Sequence, residues 1–331
     1  MNMLLPSEKL KRTVLVRKEA ETSPKYGCDP NKRPIATLVQ YGVINIDKPQ
    51  GPTSHQVSSY VQNILKLSKS GHSGTLDPKV TGLLPVAVGR ATKVVQALLI
   101  AGKEYVAVMH LHKPISEKEI QDGMMKFVGR IKQLPPVKSS VKRQWRHRTV
   151  YYLDIMEIDG QDVLFSVGCQ AGTYIRKLIH DMGIALGTKA HMVELRRTKA
   201  GPFDESTLCT LQDIHDAYWY YTEQGNEKFI SHIIQPPEHA VMHLPKVWVF
   251  DTTVNTLCHG ADLKVPGISK VESDIQVGEM IAIMTLKNEL VALGTTTLIS
   301  KDMEKLEHGI AVKTEKVFME PGTYPKMEKP V

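Results

Sequence analysis

Gly71-His72-Ser73-Gly74-Thr75-Leu76-Asp77-Pro78-Lys79-Val80-Thr81-Gly82 is the densest cluster of special residues in this chain. Its three glycines and one proline demand particular backbone angles and permit close approach of a ligand. An isolated Asp-Pro would mean little, because Asp before Pro commonly starts a turn or caps a helix. The stretch lacks the G-x-x-x-x-G-K-[ST] spacing of a phosphate loop.

On its N-terminal side, Val43, Ile44 and Ile46 form a short strand that runs into a turn, Asp47-Lys48-Pro49-Gln50-Gly51-Pro52. Thr53 or Ser54 then caps a helix whose apolar face carries Val57, Tyr60, Val61, Ile64 and Leu65. On its C-terminal side, a strand over residues 83–88 leads to a helix over 92–100, closed by Gly102. Tyr105, Ala107, Met109 and Leu111 alternate with Val106, Val108 and His110 in a strand with unlike faces. Further on, residues 163–169 read as a strand, and Ile175, Leu178, Ile179 and Met182 trace a helical stripe that Gly183 terminates. After Gln235-Pro236-Pro237 the texture shifts to short strands over 247–250, 280–284, 290–293 and 310–313, with Lys287-Asn288 as a hairpin turn. The body is mixed α and β, followed by a small β-barrel-like domain.

At 331 residues the chain suggests roughly two domains and a core that needs no covalent staples. No apolar run approaches the ~20 residues of a membrane span. The start, Met1 to Leu5 followed by Pro6, Ser7 and Glu8, lacks a secretory apolar core, so a cytoplasmic protein with no membrane partner is expected. Cys28, Cys169, Cys209 and Cys258 stand far apart with no C-x-x-C pair, which suggests reduced thiols rather than disulfides or a metal site. Lys plus Arg is 42 against 35 for Asp plus Glu, a net charge of +7 that favours polyanionic partners. Lys138, Lys142, Arg143, Arg146 and Arg148 fall together with no acidic residue, interleaved with Trp145 and His147. Such a segment suits nucleic acid, with cations against phosphates and a ring to stack, or else a solvated loop or exposed strand.

The stretch 71–82 resembles the catalytic loop of the pseudouridine synthases related to the bacterial tRNA pseudouridine-55 enzyme and to dyskerin. A Gly-Thr-Leu also occurs in haloacid-dehalogenase-type phosphatases, but these need Asp where Ser73 stands. Four further motifs of the synthase family follow in order. They are Asp47-Lys48-Pro49 with Gly51, Thr53 and Ser54; Gly102-Lys103-Glu104-Tyr105; Ala171-Gly172-Thr173-Tyr174-Ile175-Arg176; and Leu195-Arg196-Arg197-Thr198 with Gly201-Pro202-Phe203. Pro135-Pro136, Ser139-Ser140-Val141-Lys142-Arg143 and Arg146-His147-Arg148-Thr149 are similar to the dyskerin branch, most of all its archaeal members. The C-terminal strands, ending Pro321-Gly322-Thr323-Tyr324-Pro325, resemble a PUA domain.

The resemblance implies an α+β pseudouridine synthase fold with a mixed, mainly antiparallel central sheet, plus the small PUA barrel. It divides the chain into an extended arm (1–35) packing on the PUA domain, a catalytic domain (36–245), the PUA domain (246–323) and a tail (324–331). It implies Asp77, Tyr105 and Arg176 as catalytic, His72, Tyr174 and Leu195 as substrate-binding, and the five basic residues of 138–148 as RNA-binding. No cofactor or metal is expected. The implied partners are H/ACA guide RNA, substrate RNA (ribosomal, with transfer RNA as a further candidate), and small core proteins: a Nop-type zinc-ribbon peptide, a Gar-type protein and a ribosomal-type kink-turn binder.

The chemistry fits these residue types. Detaching uracil from C1′ builds oxocarbenium-like character that a carboxylate, Asp77, can stabilise or trap. A second carboxylic acid is not required, because the leaving uracilate delocalises its own charge. Arg176 would orient Asp77, and Tyr105 would stack on the base and take part in removing the C5 proton. A uracil in paired RNA must be flipped out or already unpaired, a need that a guide RNA meets by leaving the target bare. A stand-alone tRNA synthase and a non-catalytic RNA-binding scaffold are the other two readings.

Overall fold

The computed structural model describes residues 3–135 and 142–326. Among these residues the first strand is β1 (Val14–Val16). Nine strands follow between residues 43 and 235: β2 (Val43–Lys48), β3 (Ser70–His72), β4 (Thr81–Val88), β5 (Lys103–Leu111), β6 (Gly129–Gln133), β7 (Arg146–Asp159), β8 (Asp162–Cys169), β9 (Ala190–Ala200) and β10 (Ile234–Gln235). They make one sheet in the order β10-β2-β4-β9-β5-β8-β7-β6, with β3 paired to β4. Only the β4–β9 pair in that sheet is parallel, so it is mixed and mainly antiparallel. The remaining strands are β11 (Lys246–Val249), β12 (Leu263–Lys264), β13 (Ile268–Glu272), β14 (Met280–Thr285), β15 (Leu290–Thr296) and β16 (Ile310–Val317). With β1 they form a second sheet, β1-β13-β11-β14-β15-β16-β12.

The alternation read in residues 105–111 is met in β5, where Ala107, Met109 and Leu111 are buried and the intervening residues are not. Those three pack with Ile175, Leu178, Ile179 and Met182 of the helix Ile175–Ala185, which covers this part of the sheet. Thr53 caps the helix Ser54–Ile64 by accepting from the Gln56 N–H. Val57 and Val61 of that helix are fully buried on Ile44, Ile46, Leu84 and Val86, whereas Tyr60 turns out to solvent. Among the described residues no helix is long and apolar enough to cross a membrane.

Three sequence expectations need correction. The helix expected over 92–100 is two pieces, a 3₁₀ segment Gly89–Val94 and an α-helix Val95–Ile100. Gly183 does not terminate its helix but lies inside it, because a Cβ there would overlap the Ala190 backbone nitrogen. The stop comes at Gly187, whose φ of +72° is the left-handed turn that glycine permits, after which the Thr188 and Lys189 N–H groups return to the Gly183 carbonyl. The C-terminal part also holds helices Asp251–Cys258 and Ser300–Lys305, which strand periodicity did not reveal.

The two sheets meet across an apolar seam in which Tyr41, Val43 and Leu83 pack with Ala282, Met284, Leu290 and Leu293. Beside it, Arg33 forms a two-pronged ion pair with Glu238 (2.7 and 2.8 Å), both side chains nearly inaccessible. Glu238 Oε1 also accepts from the Leu290 N–H at 2.8 Å, so one carboxylate ties the N-terminal segment to β15. Cutting back one partner strands a buried charge. Glu238→Ala is therefore expected to cost about 3–5 kcal/mol in urea unfolding, whereas removing the Lys177–Asp181 pair, one turn apart on a helix and open to solvent on one side, should cost no more than ~0.5 kcal/mol.

Candidate active site

Residues 73–80 link β3 to β4 and are fastened from below by Lys48, the last residue of β2. Lys48 is fully buried, and its Nζ donates to the carbonyls of Pro49 (2.8 Å), Pro78 (3.2 Å) and Val80 (2.9 Å). Burial lowers the pKa of this ammonium, and the nearby Asp77 carboxylate opposes the shift. Gly51 N–H donates to the same Pro78 carbonyl, and Ser54 Oγ accepts the Leu76 N–H at 2.8 Å. The turn closes through Val80 N–H to the Asp77 carbonyl. Asp77 is thus presented at the tip of a loop whose backbone is tied on both sides, with its side chain half exposed.

The Asp77 carboxylate is ion-paired with Arg176, from the first turn of the helix Ile175–Ala185. Tyr174 lies just before that helix, and Gln133 at the end of β6 holds its backbone both ways: Tyr174 N–H to Gln133 Oε1 (3.1 Å) and Gln133 Nε2 to the Tyr174 carbonyl (3.2 Å). Nothing in the sequence singled out Gln133, because a buried glutamine serving one backbone position carries no motif.

β9 unites the remaining parts. It pairs with β4 only at Thr81↔Arg196 and Gly82↔Arg197, and with β5 at Tyr105↔Arg197 and Ala107↔Leu195. Gly82 has φ of +96°, and a Cβ there would overlap the Arg197 carbonyl oxygen, so the close approach of the loop to β9 requires glycine. Arg196 is forked onto Asp47 (3.0 Å to each oxygen) and bonds Glu205 at 2.7 Å. Tyr105 and Leu195 both pack against the apolar cluster beneath the helix Ile175–Ala185. Burial pushes the Tyr105 phenol above its ordinary pKa, and Arg197 acts against that shift. His72 ends β3 with a buried Nδ1 that has no partner, and burial lowers its pKa.

The fold therefore brings Asp77 and Arg176 into contact and sets Tyr105 and Leu195 on the adjoining strands. The basic segment lies to one side. Lys138 falls outside the described residues, as do Pro136 and residues 139–141. Lys142 and Arg143 are exposed, and Arg146 enters β7 opposite Gln133, the residue that holds Tyr174. Arg148 lies against Gly172, within the Gly-Thr-Tyr motif. Trp145 is exposed, with Lys132 Nζ 4.9 Å from its ring centre, beside a cavity of about 340 Å³ that Lys177 also lines.

Lys48→Ala would take the ammonium donor from the Pro49 and Val80 carbonyls and leave Pro78 with Gly51 N–H alone. A loss of about 1–3 kcal/mol is expected, read as faster amide exchange at residues 76–80 with the exchange of β8 unchanged.

The DKCLD (NUC011) domain model matches residues 3–58, the TruB family pseudouridylate synthase N-terminal domain 62–122 and 112–175, the tRNA pseudouridylate synthase B C-terminal domain 176–242, and the PUA domain 245–318. A protein of Pyrococcus horikoshii named "Probable tRNA pseudouridine synthase B" is 57% identical over 326 residues, 98% of this chain and 97% of that one. A protein of Methanopyrus kandleri with the same name is 54% identical over 95% of this chain and 93% of its own length. Among solved structures, "Crystal Structure of a Cbf5-Nop10-Gar1 Complex" contains a chain 56% identical, with a TM-score of 0.95 and coverage of 98% of this chain and 99% of that one. "Structure of H/ACA RNP bound to a substrate RNA containing 2'-deoxyuridine" contains one 54% identical, with a TM-score of 0.92 and the same coverage.

Proposed function

This chain belongs to the TruB family of pseudouridylate synthases, and we propose that it isomerises uridine to pseudouridine in RNA selected by an H/ACA guide, with Asp77 as the nucleophile or stabiliser at C1′. The observation that carries this is the Asp77–Arg176 ion pair. A half-exposed carboxylate is held on a tied loop and directed by a guanidinium from a separate helix.

The bond from C1′ to uracil N1 breaks with its electron pair on the base, and the Asp77 carboxylate meets the developing positive charge. The base turns, C5 joins C1′, and the C5 proton leaves, with Tyr105 taking part in its removal. Arg176 fixes the direction of the carboxylate, which matters because a misplaced nucleophile loses the advantage of proximity. His72, Tyr174 and Leu195 line the nucleotide's place. Residues 36–245 carry this chemistry and residues 246–323 grip the guide RNA, while residues 1–35 brace the latter; Tyr324, expected to open a tail, is instead buried in the core of the second sheet with its hydroxyl donating to Glu289 at 2.6 Å. Pairing of β1 with β13 supports the bracing role. The names of the similar solved structures support assembly with Nop10- and Gar1-type proteins and RNA, and we place the particle in the cytoplasm. A kink-turn binder and transfer RNA stay in the proposal by family resemblance alone.

Tritium release from RNA labelled at uracil C5 tests the reading. Asp77→Ala is expected to abolish release while RNA affinity remains, and appreciable turnover in that variant would remove Asp77 from its role. Wild-type release from bare tRNA equal to that with guide and partner proteins would favour a stand-alone enzyme. Neutralising Lys142, Arg143 and Arg146 should weaken RNA binding and reduce the log–log salt slope by about 2–3. An unchanged slope would take them out of the interface.

A further inference from the structure

Arg197 is 1% exposed, so its guanidinium lies in the protein interior. Its Nε donates to the Leu83 carbonyl at 2.7 Å, and its Nη2 has no partner. Its neighbours Arg196 and Lys199 are matched with Asp47, Glu205 and Glu8, but no carboxylate pairs with Arg197 among the described residues. An interior guanidinium without a counter-ion is costly unless a group facing it takes up negative charge. The groups that face it come from three directions. Tyr105 stands directly across on β5 and its phenol interacts with the guanidinium. Lys103, also on β5, is occupied by the carbonyls of Leu98, Leu99 and Ala101 at 2.9, 3.0 and 2.7 Å. His72 and Gly74 approach from the loop, where Nη1 comes within 3.8 Å of the position a Gly74 Cβ would take. Cys169 of β8, which stands across from Lys103, is buried, with its thiol pushed up to about 12. Tyr105 alone among these pairs an ionisable oxygen with a place at the proposed site.

We propose that Arg197 is a positioning residue for the isomerisation: it directs the Tyr105 phenolic oxygen and supplies the positive charge that lets this oxygen act as the base toward uracil C5. The proposal rests on the pseudouridine synthase reading above. Tyr105 is only partly buried, so its proton leaves to water, and the interior guanidinium offsets the phenolate's charge. After the base has rejoined C1′ through C5, the C5–H bond breaks and its electron pair returns to the ring. The proton passes to the phenolate, which becomes a neutral phenol again. A preorganised charge of this kind is worth most in a water-poor site. It also accounts for the unpaired cation, whose partner is the ionised form of Tyr105.

The test is a double-variant cycle on the full chain assembled with guide RNA, substrate RNA and partner proteins, read as single-turnover tritium release from uracil C5 across neutral and alkaline pH. Tyr105→Phe is expected to slow release on the order of 10²-fold. Arg197→Gln should lose a comparable factor and move the rising limb of the pH–rate profile to higher pH, because burial then acts on the phenol unopposed. Arg197→Lys should recover part of both. In the Tyr105→Phe background Arg197→Gln should cost nothing further, since its effect passes through the missing oxygen. Equal losses in both backgrounds, or an unmoved limb, would overturn the proposal. Should Arg197→Gln not fold, fluorotyrosine placed at position 105 or at position 151 of otherwise unaltered protein gives a second reading by fluorine NMR. Tyr151 is raised by burial and by the same Cys169 but faces no guanidinium. The probe at 105 should titrate below the probe at 151, and the reverse order would overturn the proposal. Absence of release from the wild-type particle would instead reject the synthase reading itself.

Discussion

One buried ammonium governs the geometry of this molecule. Lys48 Nζ, at the end of a central strand, takes up backbone carbonyls from Pro49, Pro78 and Val80, and so fixes two chain segments to each other at the point where the exposed carboxylate must be held still. An ammonium can do this where a guanidinium cannot, because its three donors diverge from one atom into a small space. The cost is desolvation, visible in the downward shift of its pKa, and the return is a loop that needs no packing on its outer side. The open outer face can then admit a nucleotide.

Much of this was legible in the sequence, and the parts that were not share a cause. The residues 71–82, with Asp47-Lys48-Pro49 and the later Tyr and Arg motifs, identified the loop, the strand carrying Tyr105 and the helix carrying Arg176, because glycine, proline and capping residues leave local signals. Strands β2, β4, β5 and β8 appear where apolar patterning put them. What could not be read was the use of polar residues in the interior. Lys48 and Arg197 were quoted within motifs, but burial is a property of the fold and not of a tripeptide. Gln133 had no local signal whatever. The same limit explains Gly183, whose closeness to Ala190 comes from the helix lying on β9, and the broken helix before Ile100, where a 3₁₀ turn carries the chain off β4.

The arrangement also separates two electrostatic tasks. Around Asp77 the charges are few and directed: one ion pair, the buried Lys48 ammonium below the loop, and a buried guanidinium across from Tyr105. Where β6 pairs with residues 146–150 of β7 the charged side chains are all basic, with Lys132 against the ring of Trp145 at the surface. The two regions are joined mechanically by Gln133, which stands opposite Arg146 on one side and grips the backbone of Tyr174 on the other. The hairpin and the short segment that carries Arg176 are thus tied through one side chain.

The pairing of β1 with β13 places Val14 beside Glu272, residues near opposite ends of the chain. Closing so long a loop adds little to its equilibrium cost, because that entropy grows only with the logarithm of length. Its kinetic meaning is larger. During synthesis the segment that becomes β1 leaves the ribosome first, yet its partner strand is made only after the whole catalytic sheet has emerged. The β1 edge thus waits, unpaired, while more than 250 residues are added, and non-local contacts of this kind are the slow ones in folding. Residues 14–16 are among the last of this chain to be locked, and the second sheet cannot acquire its edge until the strands between its two partners have been made.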